Sequence, residues 1–331
     1  MQQVFLTVSL HILINLSYYT SFFMSTKINI HLSIFVKFLL FYVVLRLFFR
    51  FFLSYLLTFP WFPCILIIEV LDIFYPALLQ PYLSFAARFR YSEVPMTIDL
   101  HTHTIASGHG SSDTITDLAK EASRRHMTVL GISDHAPAMI GAAHASYFRS
   151  LSHAERSRFG VRLLYGAELN IRSVSGSVDL DDSILSSLDY AIASLHSPLF
   201  PAASAAEHTQ AYINAMKSPL ISIIGHPDDT HFPILVPDLV SAAKQYHTLL
   251  EINNSSLSPD GYRGYCRTID HAILSLCMEQ EIPVIIGSDS HGIAHIGEDQ
   301  YARALMQELG FPDRLIVNGN PALLFSYLHV H

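Results

Sequence analysis

The sequence predicts an α/β barrel in residues 96–331, and three observations support this fold class. Short runs rich in β-branched residues and leucine alternate with longer amphipathic segments, which is the pattern of parallel strands joined by helices. The strand segments carry few charged residues, as expected of strands buried on both faces. A length of roughly 230 residues suits one barrel of this kind, so no second domain is needed after residue 96.

Seven strands and six helices are predicted in this part of the chain. The strands span residues 97–101, 128–133, 162–168, 190–196, 220–226, 248–253 and 283–289. The helices span residues 112–126, 205–217, 237–247, 265–281, 299–309 and 321–328. In the first helix Ile115, Leu118 and Ala122 fall on one face behind a start rich in serine and aspartate, as in an N-capped amphipathic helix. Seven strands are close to the number that closes a barrel.

The first 95 residues form an apolar N-terminal segment of different composition. They contain no glycine, 15 of the 21 phenylalanines and only nine charged side chains. Residues 4–24 are uncharged and mostly apolar, long enough to cross a bilayer of about 30 Å as a helix. Residues 28–49 and 51–87 are also apolar but contain charges and, in the second stretch, four prolines. Two or three transmembrane helices are one interpretation, and basic residues in every candidate loop give them no orientation.

A second interpretation is that Met96 is the true start and that residues 1–95 are translated from upstream sequence. The lack of glycine favours it, because transmembrane helices usually contain more glycine than soluble ones. This interpretation predicts a cytoplasmic protein that begins near Met96. If residues 1–95 are translated, they predict a membrane-anchored protein instead. In either case the functional domain is expected to be residues 96–331.

Charge and cysteine content restrict the function classes. The whole chain carries a net charge of −8 and the first 95 residues carry +3, so residues 96–331 carry −11. An acidic domain of this kind is a poor general binder of nucleic acid, and no nucleic-acid partner is expected. Cys64, Cys266 and Cys277 form no Cys-x-x-Cys pair and suggest no disulfide framework, which fits a reducing compartment. All three are interpreted as packing residues.

Nine residues of metal-binding type follow the ends of the predicted strands. They are His101, His103, His109, His135, Glu168, His196, His226, Asp289 and His291. A barrel enzyme builds its site from residues at the carboxyl ends of its strands. In each of the pairs His101/His103 and Asp289/His291, the side chains are two residues apart and can project from one face. One such pair is weak evidence, but nine ligand-type residues in barrel order predict a polynuclear metal site.

The same residues resemble the PHP (polymerase and histidinol phosphatase) family. The motifs that carry the resemblance are Asp-Leu-His-Thr-His at 99–103, His109, Ser-Asp-His at 133–135, Gly-Ala-Glu at 166–168, Gly-His-Pro at 225–227, Glu-Ile-Asn-Asn at 251–254 and Gly-Ser-Asp-Ser-His at 287–291. They are most similar to those of the small stand-alone trinuclear zinc phosphatases of this family. The resemblance covers essentially all of residues 96–331 and none of residues 1–95.

The resemblance implies a distorted seven-stranded (βα) TIM-like barrel with three metal ions at its mouth. It implies that His101, His103, Glu168 and Asp289 hold the first ion, that Glu168 bridges to a second held by His196 and His226, and that His109, His135 and His291 hold the third. His101, His103, Glu168 and Asp289 are the expected catalytic residues. Imidazole and carboxylate ligands suit Zn²⁺, with Mn²⁺ or Fe²⁺ as alternatives.

The expected function is hydrolysis of a small phosphomonoester, with a metal-bound hydroxide attacking phosphorus in line. The sequence contains no P-loop or serine triad and singles out no general acid for the leaving group. One alternative within the family is a nuclease or phosphodiesterase, which the acidic charge and the absence of a polymerase disfavour. An alternative of another class is a non-enzymatic, membrane-tethered protein that stores or senses zinc.

Several further polar residues adjoin the predicted ligands. Asp99 and Asp134 either orient an imidazole or form local hydrogen bonds. Glu251, Asn253, Asn254, Ser288 and Ser290 are expected to bind substrate or water. Nine further histidines, His144, His153, His208, His231, His247, His271, His295, His329 and His331, match no ligand position and are predicted to lie at the surface or in loops.

Overall fold

The structure, a computed structural model, describes residues 96–330, and the predictions made for residues 1–95 lie outside the described residues. Its strands in chain order are β1 (Ile98–Asp99), β2 (Thr102–His103), β3 (Val129–Ile132), β4 (Ser157–Arg158), β5 (Val161–Asn170), β6 (Tyr190–Ser194), β7 (Ile223–Ile224), β8 (Leu249–Asn253), β9 (Val284–Gly287) and β10 (Ser290–His291). Strands β1, β3, β5, β6, β7, β8 and β9 lie side by side in that order, all parallel. Each overlaps a predicted strand, so the seven-stranded α/β barrel is confirmed.

Three short strands were not predicted, because two residues leave no periodic pattern in a sequence. Strands β2 and β10 form a separate parallel pair in which His103 lies beside His291. This pair continues the chain beyond the carboxyl ends of β1 and β9. Strand β4 pairs with β5 in antiparallel orientation. The β2–β10 pair therefore brings predicted ligands from the two edge strands together.

Eight helices lie among the described residues. They are α1 (Ile115–Arg124), α2 (Ala145–Leu151), α3 (Asp182–Leu185), α4 (Ala205–Met216), α5 (Val236–Tyr246), α6 (Cys266–Glu279), α7 (Gln300–Leu309) and α8 (Pro321–Phe325). All six predicted helices are confirmed, and α1 and α4 each begin with a complete capping box, formed by Thr114 with Asp117 and by Ser204 with Glu207. Helices α2 and α3 were not predicted.

The gap between the edge strands β1 and β9 is filled by Asn318. Within residues 96–330 the order of paired strands ends at β1 and β9. The Asn318 side chain donates to the carbonyl oxygens of Ile98 (3.0 Å) and Ile286 (2.8 Å) and accepts from the backbone N–H of Ile286 (2.8 Å). One amide side chain thus satisfies backbone groups that a closing strand would otherwise pair.

The barrel interior is packed at the end opposite the carboxyl ends of its strands. Tyr190, Ile98 and Leu249 are buried there together with Val317 and Leu324 from the last segment of the chain. Space for Tyr190 depends on glycine at two positions. A Cβ on Gly131 would lie 2.3 Å from the Tyr190 hydroxyl, and one on Gly166 would lie 2.6 Å from the ring. With this end filled, the carboxyl ends of the strands are left to form the site.

Two findings concern the predictions about location and cysteines. Among residues 96–330, each helix falls short of the length and apolarity needed to cross a membrane. The two cysteines in this part of the chain, Cys266 and Cys277, are buried and free. Cys277 packs in the hydrophobic core as predicted, whereas the thiol of Cys266 is hydrogen-bonded to Asp228.

Candidate metal centre

All nine predicted ligands come together at the carboxyl ends of the barrel strands. His101 lies between β1 and β2, Glu168 lies in β5, and Asp289 lies between β9 and β10. His196 and His226 each follow the last residue of a strand by two positions. Eight of the nine side chains are wholly or largely shielded from solvent, and His109 is exposed. The fold thus places at one end of the barrel residues that are far apart in the sequence.

The carboxylate of Glu168 is the centre of the cluster. Its Oε2 atom lies 2.7 Å from His135 Nδ1, 3.4 Å from His101 Nε2 and 3.5 Å from His103 Nε2. Its Oε1 atom lies 2.8 Å from His226 Nε2 and 3.1 Å from His196 Nε2. The two oxygens therefore face two different groups of imidazoles, which is the geometry that a carboxylate bridging two ions requires.

A second carboxylate, that of Asp289, also faces His101 and His103. Its Oδ1 atom is 3.4 Å from His103 Nε2 and 3.7 Å from His101 Nε2. Both Asp289 and His226 have positive φ angles, +53° and +29°, a backbone conformation that residues other than glycine rarely adopt. Such strain, about 1–3 kcal/mol per residue, persists where surrounding contacts hold it and is concentrated at functional sites.

A group of three imidazoles occupies the outer part of the cluster. The ring centres of His109 and His135 are 4.8 Å apart, those of His109 and His291 are 5.2 Å apart, and those of His135 and His291 are 5.7 Å apart. His103 also adjoins this group, with its ring centre 4.2 Å from that of His291. His103, His135 and His291 each offer a nitrogen within 4.8 Å of the others. The outer group is therefore contiguous with the imidazoles that surround Glu168.

The charges in the cluster shift its pKa values in opposite directions. Burial opposes ionisation of Glu168, but His135, His196 and His101 together hold the pKa of its carboxyl well below the usual range. Burial alone would lower the pKa of His101, yet nearby carboxylates, Glu251 first among them, raise it well above the usual value. The pKa of His103 is lowered well below its usual value by burial and by the neighbouring imidazoles.

The donor atoms fit a divalent metal. Four buried nitrogen atoms of the cluster have no hydrogen-bond partner: His101 Nε2, His103 Nε2, His226 Nδ1 and His291 Nε2. Leaving a buried polar atom unpaired costs about 1–3 kcal/mol, so this many in one place calls for a ligand. Imidazole nitrogens and carboxylate oxygens are the donors that Zn²⁺ accepts in proteins.

Three neighbouring side chains orient the imidazoles. Glu251 Oε1 lies 2.7 Å from His101 Nδ1, Asn170 Oδ1 lies 2.7 Å from His196 Nδ1, and Ser107 Oγ lies 2.9 Å from His103 Nδ1. Each acceptor leaves the other ring nitrogen directed into the cluster. Metal-binding histidines characteristically have such a partner, which fixes the ring and its tautomer.

The prediction that Glu251, Asn253 and Asn254, at the end of β8, bind substrate or water is wrong, because their hydrogen bonds are made within the protein. Glu251, Asn253 and Asn254 are all buried. Besides His101, Glu251 accepts the backbone N–H of His226 (2.8 Å), and Asn253 Nδ2 donates to Glu251 Oε2 (3.0 Å). Asn254 Oδ1 accepts the first backbone N–H groups of α7. Through these hydrogen bonds the three residues hold His101, His226 and the start of α7 in place.

The structure shows which of the two expected roles, orienting an imidazole or forming other hydrogen bonds, Asp99 and Asp134 each have. Asp99 accepts backbone N–H groups of His101, Ser288 and Gly297, so its hydrogen bonds are to the backbone. Asp134 accepts the hydroxyl of Ser107 (2.7 Å), which in turn contacts His103 Nδ1. Asp134 therefore orients an imidazole through one intervening hydroxyl.

The two serines of the last motif make backbone hydrogen bonds. Ser288 Oγ donates to the His101 carbonyl, and Ser290 Oγ donates to that of Gly292. Both serines are buried, so the expectation that they bind substrate is also wrong. His208 is a further correction: it is buried in α4, with Nδ1 3.0 Å from the Pro233 carbonyl, rather than at the surface.

Arg263 was missed by the sequence analysis. Its guanidinium group is buried, and its Nη2 donates to Asp289 Oδ2 at 2.8 Å. Its Nη1 donates to Ser256 Oγ (3.2 Å) and Asn253 Oδ1 (3.4 Å). Arg263 lies in Asp-Gly-Tyr-Arg-Gly at 260–264, which is typical of a surface turn, so no local pattern could reveal its burial.

Comparisons with known proteins identify the family. The family model for the PHP domain matches residues 99–262. A probable phosphatase of Clostridium novyi (strain NT) is 36% identical over 231 residues, which cover 70% of this chain and 93% of that protein. A probable phosphatase of Clostridium botulinum (strain Hall) is 38% identical over 232 residues, with the same 70% and 93% coverage. Among solved structures, one similar protein is the histidinol phosphate phosphatase of Lactococcus lactis, complexed with zinc, L-histidinol and phosphate. It is 16% identical, the match covers 66% of this chain and 95% of that one, and the TM-score is 0.45. On the family match and the two relatives, the chain belongs to the PHP domain family.

Proposed function

We propose that this protein is a zinc-dependent phosphatase that hydrolyses a small phosphomonoester. The observation that carries the proposal is the convergence of buried imidazole nitrogens, four of them unpaired, and buried carboxylates around Glu168 at the carboxyl end of the barrel. The names of the relatives support the reaction class, since both are described as probable phosphatases. All nine proposed ligands lie in residues 96–331, which we take as the catalytic domain. The free, buried thiols of Cys266 and Cys277 support a cytoplasmic location.

We propose three ions, held as the family resemblance implies. The first would be held by His101, His103, Glu168 and Asp289, the second by Glu168, His196 and His226, and the third by His109, His135 and His291. The two oxygens of the Glu168 carboxylate face different imidazoles, which supports the proposed bridging role. The ring distances among the three outer histidines support the third set. Mn²⁺ and Fe²⁺ are alternatives that the same donors accept.

The proposed site matches the requirements of phosphate-ester hydrolysis. When bound, clustered divalent ions neutralise phosphoryl oxygens and lower the pKa of a bound water. The chain's own residues fix that charge in place: Glu168 and Asp289 are buried anions, and Glu251 and Asn170 hold the imidazoles in one orientation. His109 and His291 have partly accessible side chains, so the outer part of the cluster is where a phosphate group can enter. We propose His101, His103, Glu168 and Asp289 as the catalytic residues.

A substrate comparison tests the proposal. The zinc-loaded protein is assayed against p-nitrophenyl phosphate, bis(p-nitrophenyl) phosphate and single-stranded DNA. We expect the monoester to be hydrolysed fastest, and Glu168→Gln to lower its rate by about 10²–10³-fold or more, since it removes a preorganised charge from the site. Glu207→Gln changes an exposed cap of α4 in the same chemical way and is the matched control. Faster cleavage of DNA would favour a nuclease, and inactivity on all three substrates would refute the enzymatic proposal.

A further inference from the structure

Exposed apolar side chains in the described part of the chain are concentrated at the end of the barrel that carries the metal centre. Six of the seven large ones lie in segments that follow barrel strands: Ile105, Ile140, Leu235, Tyr262, Tyr265 and Ile293. The seventh, Phe159, lies between β4 and β5. Single exposed apolar residues are common on any protein surface, but their concentration beside one site indicates contact with an apolar group there.

Tyr262 is the one among them that is tied directly to the metal centre. The guanidinium carbon of Arg263 lies 4.9 Å from the centre of the Tyr262 ring, and the same guanidinium donates to Asp289 at 2.8 Å. Because both contacts involve one planar group, the ring centre lies within about 9 Å of the proposed ligand. A leaving group of ordinary size that extends from a phosphate at the metal centre spans this distance.

One face of the Tyr262 ring contacts Arg263, and most of the residue is open to solvent. Arg263 is buried and contacts one face of the ring, while 71% of Tyr262 remains exposed. The backbone at this point is fixed, because the Arg263 carbonyl accepts both the N–H (3.1 Å) and the hydroxyl (2.6 Å) of Thr230. A cation–π contact with a buried arginine also restricts the ring. An aromatic ring fixed in this way is a preorganised surface for stacking.

The electrostatic surroundings of the hydroxyl agree with this placement. The carboxylates of Asp289 and Glu168, both proposed ligands, lie within electrostatic range of the Tyr262 hydroxyl. A neutral, fixed ring beside an acidic site favours an uncharged planar partner over a second anion.

We propose that Tyr262 is a specificity-determining residue, and that the substrate is a phosphomonoester whose alcohol portion carries a planar, uncharged ring that stacks on it. This inference rests on the proposed function, because it places the phosphate at the metal centre. The ring of the alcohol lies on the open face of Tyr262, while Arg263 supports the opposite face. Arg263 is a positioning residue here, since it is buried and acts through Tyr262 and Asp289.

A pair of substrates with similar leaving groups tests the proposal. Benzyl phosphate and propyl phosphate both release a primary alcohol, and only the first carries a ring. We expect Tyr262→Ala to lower the ratio of their kcat/KM values by about three- to tenfold, mainly through KM for benzyl phosphate, as expected for loss of one aromatic contact. Tyr262→Phe should keep the wild-type ratio because it keeps the ring. Phe159→Ala, which removes an exposed aromatic ring between β4 and β5, away from the metal centre, is the control and should also keep it.

Binding of non-hydrolysable analogues separates this proposal from the proposed function. Calorimetric titration of the zinc-loaded protein with benzylphosphonate and propylphosphonate measures the same preference without turnover. We expect the benzyl compound to bind more tightly to wild type and the preference to disappear in Tyr262→Ala. Hydrolysis of neither ester with a preserved benzyl preference in binding would overturn only the proposed function. An unchanged ratio in Tyr262→Ala, equal losses on both compounds, or a change in oligomeric state in this variant would overturn the role of Tyr262.

Discussion

Replacing Glu251 with glutamine tests how the protein prepares His101 for a metal ion. Glu251 Oε1 faces His101 Nδ1 at 2.7 Å, while Oε2 accepts the backbone N–H of His226 at 2.8 Å and the Asn253 amide at 3.0 Å. Both carboxylate oxygens are therefore acceptors. A glutamine amide offers one oxygen and one NH₂ group, so in either orientation it directs an NH₂ group at a donor.

The expected loss of zinc affinity follows from the hydrogen-bond acceptor and the charge that the substitution removes. Although burial alone would raise the pKa of Glu251, the charge and hydrogen bond of His101 lower it, so the carboxylate is ionised in the folded protein. Its replacement removes both the orienting acceptor and a charge that favours a cation. Loss of such a partner of a metal-binding histidine typically weakens metal binding about 10- to 100-fold, or about 1.4–2.8 kcal/mol.

The assay is a competition titration of the metal-free protein with zinc against a chromophoric chelator. We expect Glu251→Gln to bind its tightest zinc ion about 10- to 100-fold more weakly than wild type. Glu121→Gln, which removes a carboxylate from a surface ion pair with Arg124 and Arg125 on α1, is the control and should bind zinc as wild type does. Unchanged zinc affinity in a Glu251→Gln protein with native circular dichroism would refute the reasoning.

Three further predictions concern charges around the site. Arg263→Met should lower the free energy of unfolding of the metal-free protein by about 3–5 kcal/mol, because it leaves the buried Asp289 carboxylate without its arginine partner. Denaturant titration measures this free energy, and a loss below about 1 kcal/mol would contradict the prediction. The pKa of Asp270 is raised by burial and by Asp228, so the folded state binds the proton more tightly than the unfolded state, where the pKa is near 3.8. The contribution of Asp270 to stability should therefore fall as pH rises above about 4, and Asp270→Asn should raise the free energy of unfolding by about 1 kcal/mol or more at pH 8 but not at pH 4; equal effects at both pH values would contradict this. Because the pKa of His101 is raised, zinc binding at pH 7 should release at least one proton, measured by calorimetry in two buffers of different ionisation enthalpy; binding without proton release would contradict it.

The strands and the ligand positions could be predicted because both depend on local sequence. An apolar run followed by histidine, aspartate or glutamate is visible in any short window, and the parallel arrangement of the strands then brings those residues to one end. For this reason Glu168, His196 and His226 could be placed without knowledge of their contacts. The short strands β2 and β10 escaped prediction, although they bring His103 and His291 side by side.

The residues that support the ligands could not be predicted from local sequence. Glu251 is 150 positions from His101, and its sequence neighbourhood suggests only a residue at the end of a strand. Arg263 lies in a glycine-containing turn and becomes buried only because Asp289, Ser256 and Asn253 surround it. Such roles depend on long-range contacts that leave no periodic pattern, whereas metal ligands are recognisable by residue type.

The central claim is that Glu168 bridges two members of a three-ion centre at the carboxyl end of the barrel. Anomalous diffraction at the zinc absorption edge, from crystals of the zinc-loaded protein, tests it most directly. The account predicts three anomalous peaks among the nine proposed ligands, with Glu168 bonded to two of the ions and the outer histidines His109, His135 and His291 around the third. A single peak, or peaks that Glu168 does not contact, would contradict it.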